Sequence, residues 1–305
     1  MHGKMSLALA SMAVVALLAA NAQAAIIAQW LLDEDSIARD VTIAADTTGN
    51  YDGTYHDSAF FGQSDPSSVT GHDGTPNSAV QFTKDQYVEI LAPADPNDPS
   101  DIGGILMKTP DFMVDLWFRP PLGVNNLTLF SESLGGTAGP VVTIEANTSQ
   151  NLLFNPIGCC VDPNSAGQGD PPAPQIQPTG GWDDQWYYVA GVVKAAELDA
   201  DGDVVKLGSG NLYVYDGTTV FSDSLPWEHD QFRNAFPPLT IDRVRLNNCP
   251  ICGSSNEVIL DDVTFYNQAW DSQSFLAQEL GIPEPASLAI LGIGGLLLAR
   301  RRRCV

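Results

Sequence analysis

Positive charge is scarce in this chain. Only 14 Lys and Arg stand against 37 Asp and Glu among 305 residues, for a formal net charge of −23. Nucleic-acid binding needs clustered Lys and Arg to neutralise phosphates, so that class of function is excluded. Charged residues of both signs reach 17%, too few for a coiled coil or a long helical bundle. Low charge does not mean disorder here, because 44% of residues are apolar and can build a core. Long apolar runs are missing as well: the stretches near the two ends, Leu7–Ala20 and Ala286–Ala299, fall short of the ~20 residues of a straight membrane span. Cysteine numbers only 5. No H-E-x-x-H, no phosphate-binding glycine loop and no G-x-S-x-G is found, which removes the sequence signatures of zinc proteases, nucleotide-binding loops and α/β-hydrolases. What is abundant is Gly (27) and Pro (21), the punctuation of many short elements.

The two ends stand apart from the fold. In residues 1–24, Lys4 precedes the apolar run, and Ala22-Gln23-Ala24 supplies a small-x-small cleavage site, the pattern of a secretory signal. At the other end Pro283-Glu284-Pro285 precedes the apolar, glycine-containing stretch, which Arg300-Arg301-Arg302-Arg303 closes. Four arginines hold such an end on the cytoplasmic side. The order of triplet, apolar helix and basic cluster resembles the PEP-CTERM sorting signal of Gram-negative bacteria. That resemblance implies transient insertion in the inner membrane, processing by an exosortase, and release or attachment at the cell surface or in the extracellular matrix. A plain C-terminal anchor is the alternative on chemistry alone. Without both ends the chain keeps 9 bases against 36 acids, a surface that repels anionic polymers or meets them through divalent cations.

Residues 25–281 read as one all-β domain, with 282–305 as the sorting segment. Short alternating apolar runs recur between Gly, Asn, Asp and Pro. Strands are expected at Ala25–Leu32, within Val80–Ile90, and at Phe112–Phe118, Leu127–Phe130, Val141–Ala146, Asn151–Phe154, Trp186–Val193, Thr240–Leu246 and Val258–Tyr266. Asn211–Tyr215 and Thr218–Phe221 flank Asp216-Gly217, a hairpin signal. Only Ser272–Leu280 reads as a helix, capped by Asp271 or Ser272 and stopped by Gly281. So many strands with no helical period between them indicate a two-sheet sandwich.

Several segments are similar, in order, to a LamG-like (concanavalin A-like) jelly roll. They are Trp30-Leu31-Leu32-Asp33-Glu34, Ala45–Asn50, Gly53-Thr54, Ala79–Phe82 with Tyr87–Ile90, Phe112–Phe118, Trp186–Ala190, Leu212–Gly217 and Leu260–Tyr266. The resemblance covers about Trp30 to Phe275 and implies an antiparallel two-sheet jelly roll. Trp270 departs from its pattern. Pro93–Asp101, Pro156–Gly181 and Ser222–Pro238 read as inserted rim loops, where binding is built. The resemblance also implies a structural Ca²⁺ near the opening and closing segments, with Asp46, Asn50, Asp52 and Asp261 or Asp262 as ligands. The bland reading of those residues is turn chemistry.

A second acidic segment, Glu197–Asp203, sets Asp199, Asp201 and Asp203 in the alternation that suits Ca²⁺, but no bidentate Glu closes it as in an EF-hand. Its alternative is a solvated hairpin tip. Four cysteines remain in the domain: the adjacent Cys159 and Cys160, and Cys249 and Cys252. In an exported chain they favour disulfides between the two loops over a four-thiolate zinc site, because an oxidising compartment disfavours free thiolates. Trp182, Trp227, His229 and Phe232 lie in or beside insertions and are the candidates for stacking on sugars, although a loop Trp can equally clamp its own loop. Trp30, Trp117 and Trp186 fall on expected strands and read as packing residues. Glu89, Glu132 and Glu145 stand alone, without the E-x-D-x-E pair of jelly-roll glycosidases, and His56, His72 and His229 have no nucleophile beside them.

These readings converge on an exported, non-catalytic surface or matrix protein. It is expected to bind extracellular glycans or exopolysaccharide through its rim loops, with Ca²⁺ as its one expected cofactor. A structural coat protein without glycan selectivity is the alternative. A polysaccharide-degrading enzyme comes third.

Overall fold

The computed structural model describes residues 25–269, except 39, 58–64, 94–96, 98–102, 107–108, 124–126, 135–139, 148, 156–172, 179–180, 202, 228–240 and 249–256, together with Leu280. The chain divides into two units, Met1–Gln268 and Ala269–Val305. Everything below concerns the first. The expected helix at Ser272–Leu280, the signal segment, the four cysteines, His229, Phe232 and the residues of the sorting signal lie outside the described residues, Leu280 excepted.

Strands are numbered in chain order. The first sheet runs β16 (Val220–Trp227), β15 (Gly208–Tyr215), β12 (Tyr187–Lys194), β7 (Phe112–Arg119), β18 (Val258–Tyr266), β5 (Ala79–Phe82) and β4 (Ser67–Val69), and β1 (Ile26–Trp30) also pairs with β18. The second runs β11 (Gln175–Ile176), β10 (Leu152–Asn155), β9 (Pro140–Ala146), β8 (Leu127–Leu134), β17 (Ile241–Leu246), β6 (Gln86–Leu91), β3 (Gly53–Asp57) and β2 (Ile43–Ala44). A small hairpin joins β13 (Glu197–Leu198) to β14 (Val204–Lys206). The ladders of both sheets are antiparallel, as a jelly roll requires.

Alternation along each strand decides which side chains meet between the sheets. On β7 these are Phe112, Val114, Leu116 and Phe118. They share one core with Val88, Ile90, Phe130, Ile144, Phe154 and Val244 of the second sheet. Phe130 meets Phe265 edge-on at 5.5 Å, and Tyr55 stacks on Phe82 at 6.2 Å, both across the two sheets. The other face of the first sheet carries Asp115, Trp117 and Arg119 of β7.

Two sequence readings change, and of the two readings of the acidic segment the hairpin tip is found. Val80–Ile90 is not one element, because a turn at Thr83–Asp85 sends β5 and β6 into different sheets. Ser222–Trp227 is no loop but the continuation of β16, paired to β15 as far as Gly208 opposite Trp227. The acidic segment Asp199–Asp203 is a hairpin tip: Asp199 N–H donates to the Asp203 carbonyl, and the Asp199 carboxylate accepts the N–H groups of Asp201 and Asp203 at 3.0 and 2.9 Å.

Candidate functional site on the outer face of the first sheet

Chemistry-bearing side chains concentrate on the face of the first sheet turned away from the core. Trp117 stands in register between Tyr188 of β12 and Asp261 of β18. A β-bulge between Asp261 and Thr264, with Asp262 at φ +47°, breaks the alternation of β18 at this point. The loop between β4 and β5 brings His72 over them. Asp73 holds that loop in a tight turn by accepting the Thr75 N–H and hydroxyl, both at 2.7 Å. Gly71 lets the loop approach closely, because a β-carbon there would stand 2.6 Å from Asp261 Oδ2.

The result is a compact cluster. Asp261 Oδ2 accepts the His72 backbone N–H at 3.0 Å and faces His72 Nδ1 at 2.8 Å. Asp262 Oδ2 lies 3.8 Å from the same nitrogen. The imidazole stacks on Trp117, with centroids 4.3 Å apart and planes 7° from parallel, and meets Trp186 edge-on at 6.2 Å. Tyr188 packs edge-on against Trp117 at 5.3 Å and donates its hydroxyl to Asp115 at 2.8 Å. Burial lowers the basicity of His72, but the bond to Asp261 and the charges of Asp261, Asp262 and Asp73 outweigh it and hold the imidazole above its ordinary value. Burial, reinforced by the charge of Asp261, pushes the Asp262 carboxyl up to about 6.

Beside this cluster lies an open groove of about 520 Å³, lined among others by Thr70, Gln81, Arg119, Asp184, Glu257 and Ile259. Arg119 and Ile259 stand two residues along their strands from Trp117 and Asp261, and Thr70 two residues before His72, so groove and cluster are continuous. Arg119 Nε pairs with Asp184 at 2.6 Å, and Gln81 donates to Glu257. The surface thus offers half-buried indoles next to hydrogen-bonding side chains, the makeup of a polar-ligand site.

The residues singled out from the sequence fare differently. Trp182 is a correction: it is 2% exposed, packs against Phe118 and Tyr187 at 5.4 and 4.9 Å, and donates its indole N–H to the Gln150 carbonyl at 2.7 Å. It clamps its loop and presents no ring face to a ligand. Trp227 has its backbone on β16. Trp30 is a packing residue as expected, fully buried against Phe265. Trp117 and Trp186 lie outside the core: both are half-buried, on or beside the outer face, and pack against His72.

In the opening segment, Asp46 is committed to hydrogen-bond donors. Asp46 Oδ1 accepts the N–H groups of Gln29 and Thr48 at 2.8 and 3.1 Å, and Oδ2 those of Asn50 and Tyr51, both at 3.0 Å, as well as the Thr48 hydroxyl. Its carboxylate is saturated by donors, which leave no lone pair for a cation. Asp52 accepts the Asp46 N–H at 2.9 Å, and the Asn50 amide donates to Thr48. These residues build a turn, while Asp261 binds His72 instead. The sequence missed His72 as a site residue because its partner lies 189 residues away.

Comparison with known proteins adds the following. A search of curated protein sequences finds no match. Among solved structures the chain is similar to a Trypanosoma rangeli sialidase in complex with sialic acid (TM-score 0.47, 13% identity, 83% of this chain and 33% of that one). It is also similar to a botulinum neurotoxin serotype C1 binding domain (TM-score 0.42, 9% identity, 82% and 50%). The chain therefore spans about a third of the sialidase and half of the toxin domain. Residues 281–303 match the PEP-CTERM protein-sorting motif, so the chain carries the tail of an exported protein that is sorted at the cell envelope.

Proposed function

We propose that this protein is a non-catalytic, exosortase-processed component of a Gram-negative cell surface or extracellular matrix, and that it binds carbohydrate. The binding surface is the outer face of the first sheet rather than a rim loop. The observation that carries this reading is the placement of Trp117 and Trp186 around His72, beside a groove edged by Arg119, Asp184, Gln81 and Glu257. His72 covers one face of Trp117, so the half-buried ring of Trp186 is the one set to meet the C–H face of a pyranose, while the side chains of the groove bond its hydroxyls.

The test is a glycan array, including bacterial exopolysaccharides, probed with the exported protein. Selective binding that disappears in a Trp117→Ala, Trp186→Ala double variant that still folds, shown by a cooperative melt above the assay temperature, supports the reading. No binding to any glycan, or binding that survives the double variant, sinks it and moves the assignment to a structural coat. One observation favours a second reading. A carboxyl lifted to about 6 beside another acid, as at Asp262, is the arrangement of a general acid. Release of reducing ends from a polysaccharide, abolished by Asp262→Asn, would establish an enzyme instead.

A further inference from the structure

His72, Asp261 and Asp262 each offer one ligand atom, and these atoms all lie within 4.8 Å of one another. We propose that these three side chains form a binding site for a divalent transition-metal ion of the zinc or manganese type.

The argument is geometric. Two ligands each ~2.1 Å from one ion stand roughly 3.0 Å apart at right angles and about 3.4 Å apart at the tetrahedral angle. The separations from His72 Nδ1 to Asp261 Oδ2 and Asp262 Oδ2 are 2.8 and 3.8 Å, which bracket those values. An ion placed among the three atoms would replace the His72–Asp261 hydrogen bond, with the carboxylates turning toward it.

The donor set selects the class of metal. Calcium takes six to eight oxygen ligands, and this cluster supplies two carboxylates and an imidazole. An imidazole nitrogen with two carboxylates suits zinc, manganese or a related ion, and three protein ligands leave positions open for water or a ligand oxygen. Solvent can reach those positions, since the Asp262 side chain is 38% exposed and that of His72 is 21% exposed.

The surroundings hold the ligands in place. The His72 backbone N–H donates to Asp261 Oδ2, and Trp117 fixes the plane of the imidazole. The adjacent acids Asp261 and Asp262 also repel each other, and a divalent ion relieves that repulsion. The site is distinct from the opening-segment set Asp46, Asn50 and Asp52, in which backbone donors occupy the Asp46 carboxylate. It stands whether or not the face binds glycan.

The experiment is calorimetric titration of the exported protein with Zn²⁺, and separately with Ca²⁺, in a non-chelating buffer. Free thiols are alkylated beforehand so that cysteine cannot contribute. The expected result is saturable binding of one Zn²⁺ that raises the melting temperature. His72→Ala and Asp262→Asn each weaken it at least tenfold, while His56→Ala does not. Asp262→Asn keeps the test decisive if His72→Ala fails to fold. Absence of saturable Zn²⁺ binding, binding unchanged in the folded variants, or displacement of Zn²⁺ by an equal concentration of Ca²⁺ would overturn the assignment. Glycan binding measured on the same samples reports separately on the surface as a carbohydrate site.

Discussion

The imidazole of His72 lies flat on the indole of Trp117, with ring centres 4.3 Å apart and planes within 7° of parallel. This contact joins the loop between β4 and β5 to the middle strands of the first sheet, and it places Trp117 in a different role from Trp182. Trp182 sits in the core, so Trp182→Ala is expected to cost about 3–5 kcal/mol through lost burial and an unfilled cavity. Trp117→Ala and Trp186→Ala remove half-exposed rings from the outer face and should cost less than half as much. Chemical denaturation of the three variants checks the order. A Trp117 variant as unstable as the Trp182 variant would make Trp117 a packing residue and undercut the platform.

Asp46 gives a pH dependence with a defined sign. Burial pushes its carboxyl up, but the bonds from the Thr48 hydroxyl and from the backbone N–H groups of Gln29, Thr48 and Asn50 prevail and hold it below its ordinary value. An acid depressed in the folded state adds stability that is present above its unfolded value and is lost as pH falls through the folded one. The wild-type chain should therefore lose this contribution below about pH 4. Asp46→Asn puts an amide nitrogen where an acceptor is required, facing either the N–H groups of Asn50 and Tyr51 or those of Gln29 and Thr48. The expected loss is about 3 kcal/mol at pH 7, shrinking toward pH 3. Urea melts across that range test it, and a loss that does not change with pH would refute the assignment.

Much of the fold is legible in the sequence because burial writes itself as alternation. Phe112 to Phe118 and Asn211 to Tyr215 each announce a strand through every second residue. The break within Val80–Ile90 is hidden because apolar residues continue on both sides of the turn, while Thr83, Lys84 and Asp85 between them carry no Gly or Pro. Asp85 takes up a positive φ of 69° there without a glycine to signal it. Site chemistry is harder to read. Asp46, Asn50 and Asp52 have the composition of cation ligands, yet both Asp46 oxygens and Asp52 Oδ1 face N–H groups, and composition cannot distinguish the two. His72 and Asp261 become neighbours only through the pairing of β5 with β18, a long-range fact that local spacing does not contain.

Gly191 and Phe154 test how closely the two sheets pack. A β-carbon on Gly191 of β12 would stand 2.7 Å from two ring carbons of Phe154 on β10, so Phe154 fills the space that the glycine leaves. Gly191→Ala should cost about 1–3 kcal/mol by overpacking. Phe154→Leu alone should also destabilise, by vacating volume. Combined, the two substitutions should cost less than their sum, because the smaller side chain makes room for the new methyl. A double-mutant cycle in denaturant measures this, and strict additivity would show that the two residues do not touch.

Glu145 gives the opposite sign to Asp46. It lies on β9, opposite Thr128 of β8 and Leu153 of β10, and burial alone pushes its carboxyl above the ordinary value. Ionising it therefore opposes folding. The penalty is absent below its unfolded value, grows as pH rises toward the folded one and is complete above it. Glu145→Gln keeps the shape and removes the charge, so it should raise the melting temperature at pH 7–8 and leave it unchanged near pH 4. Thermal melts of both proteins at the two pH values suffice. A variant less stable than wild type at pH 8 would mean that the carboxylate is held by a favourable interaction, and that burial is not what sets its behaviour.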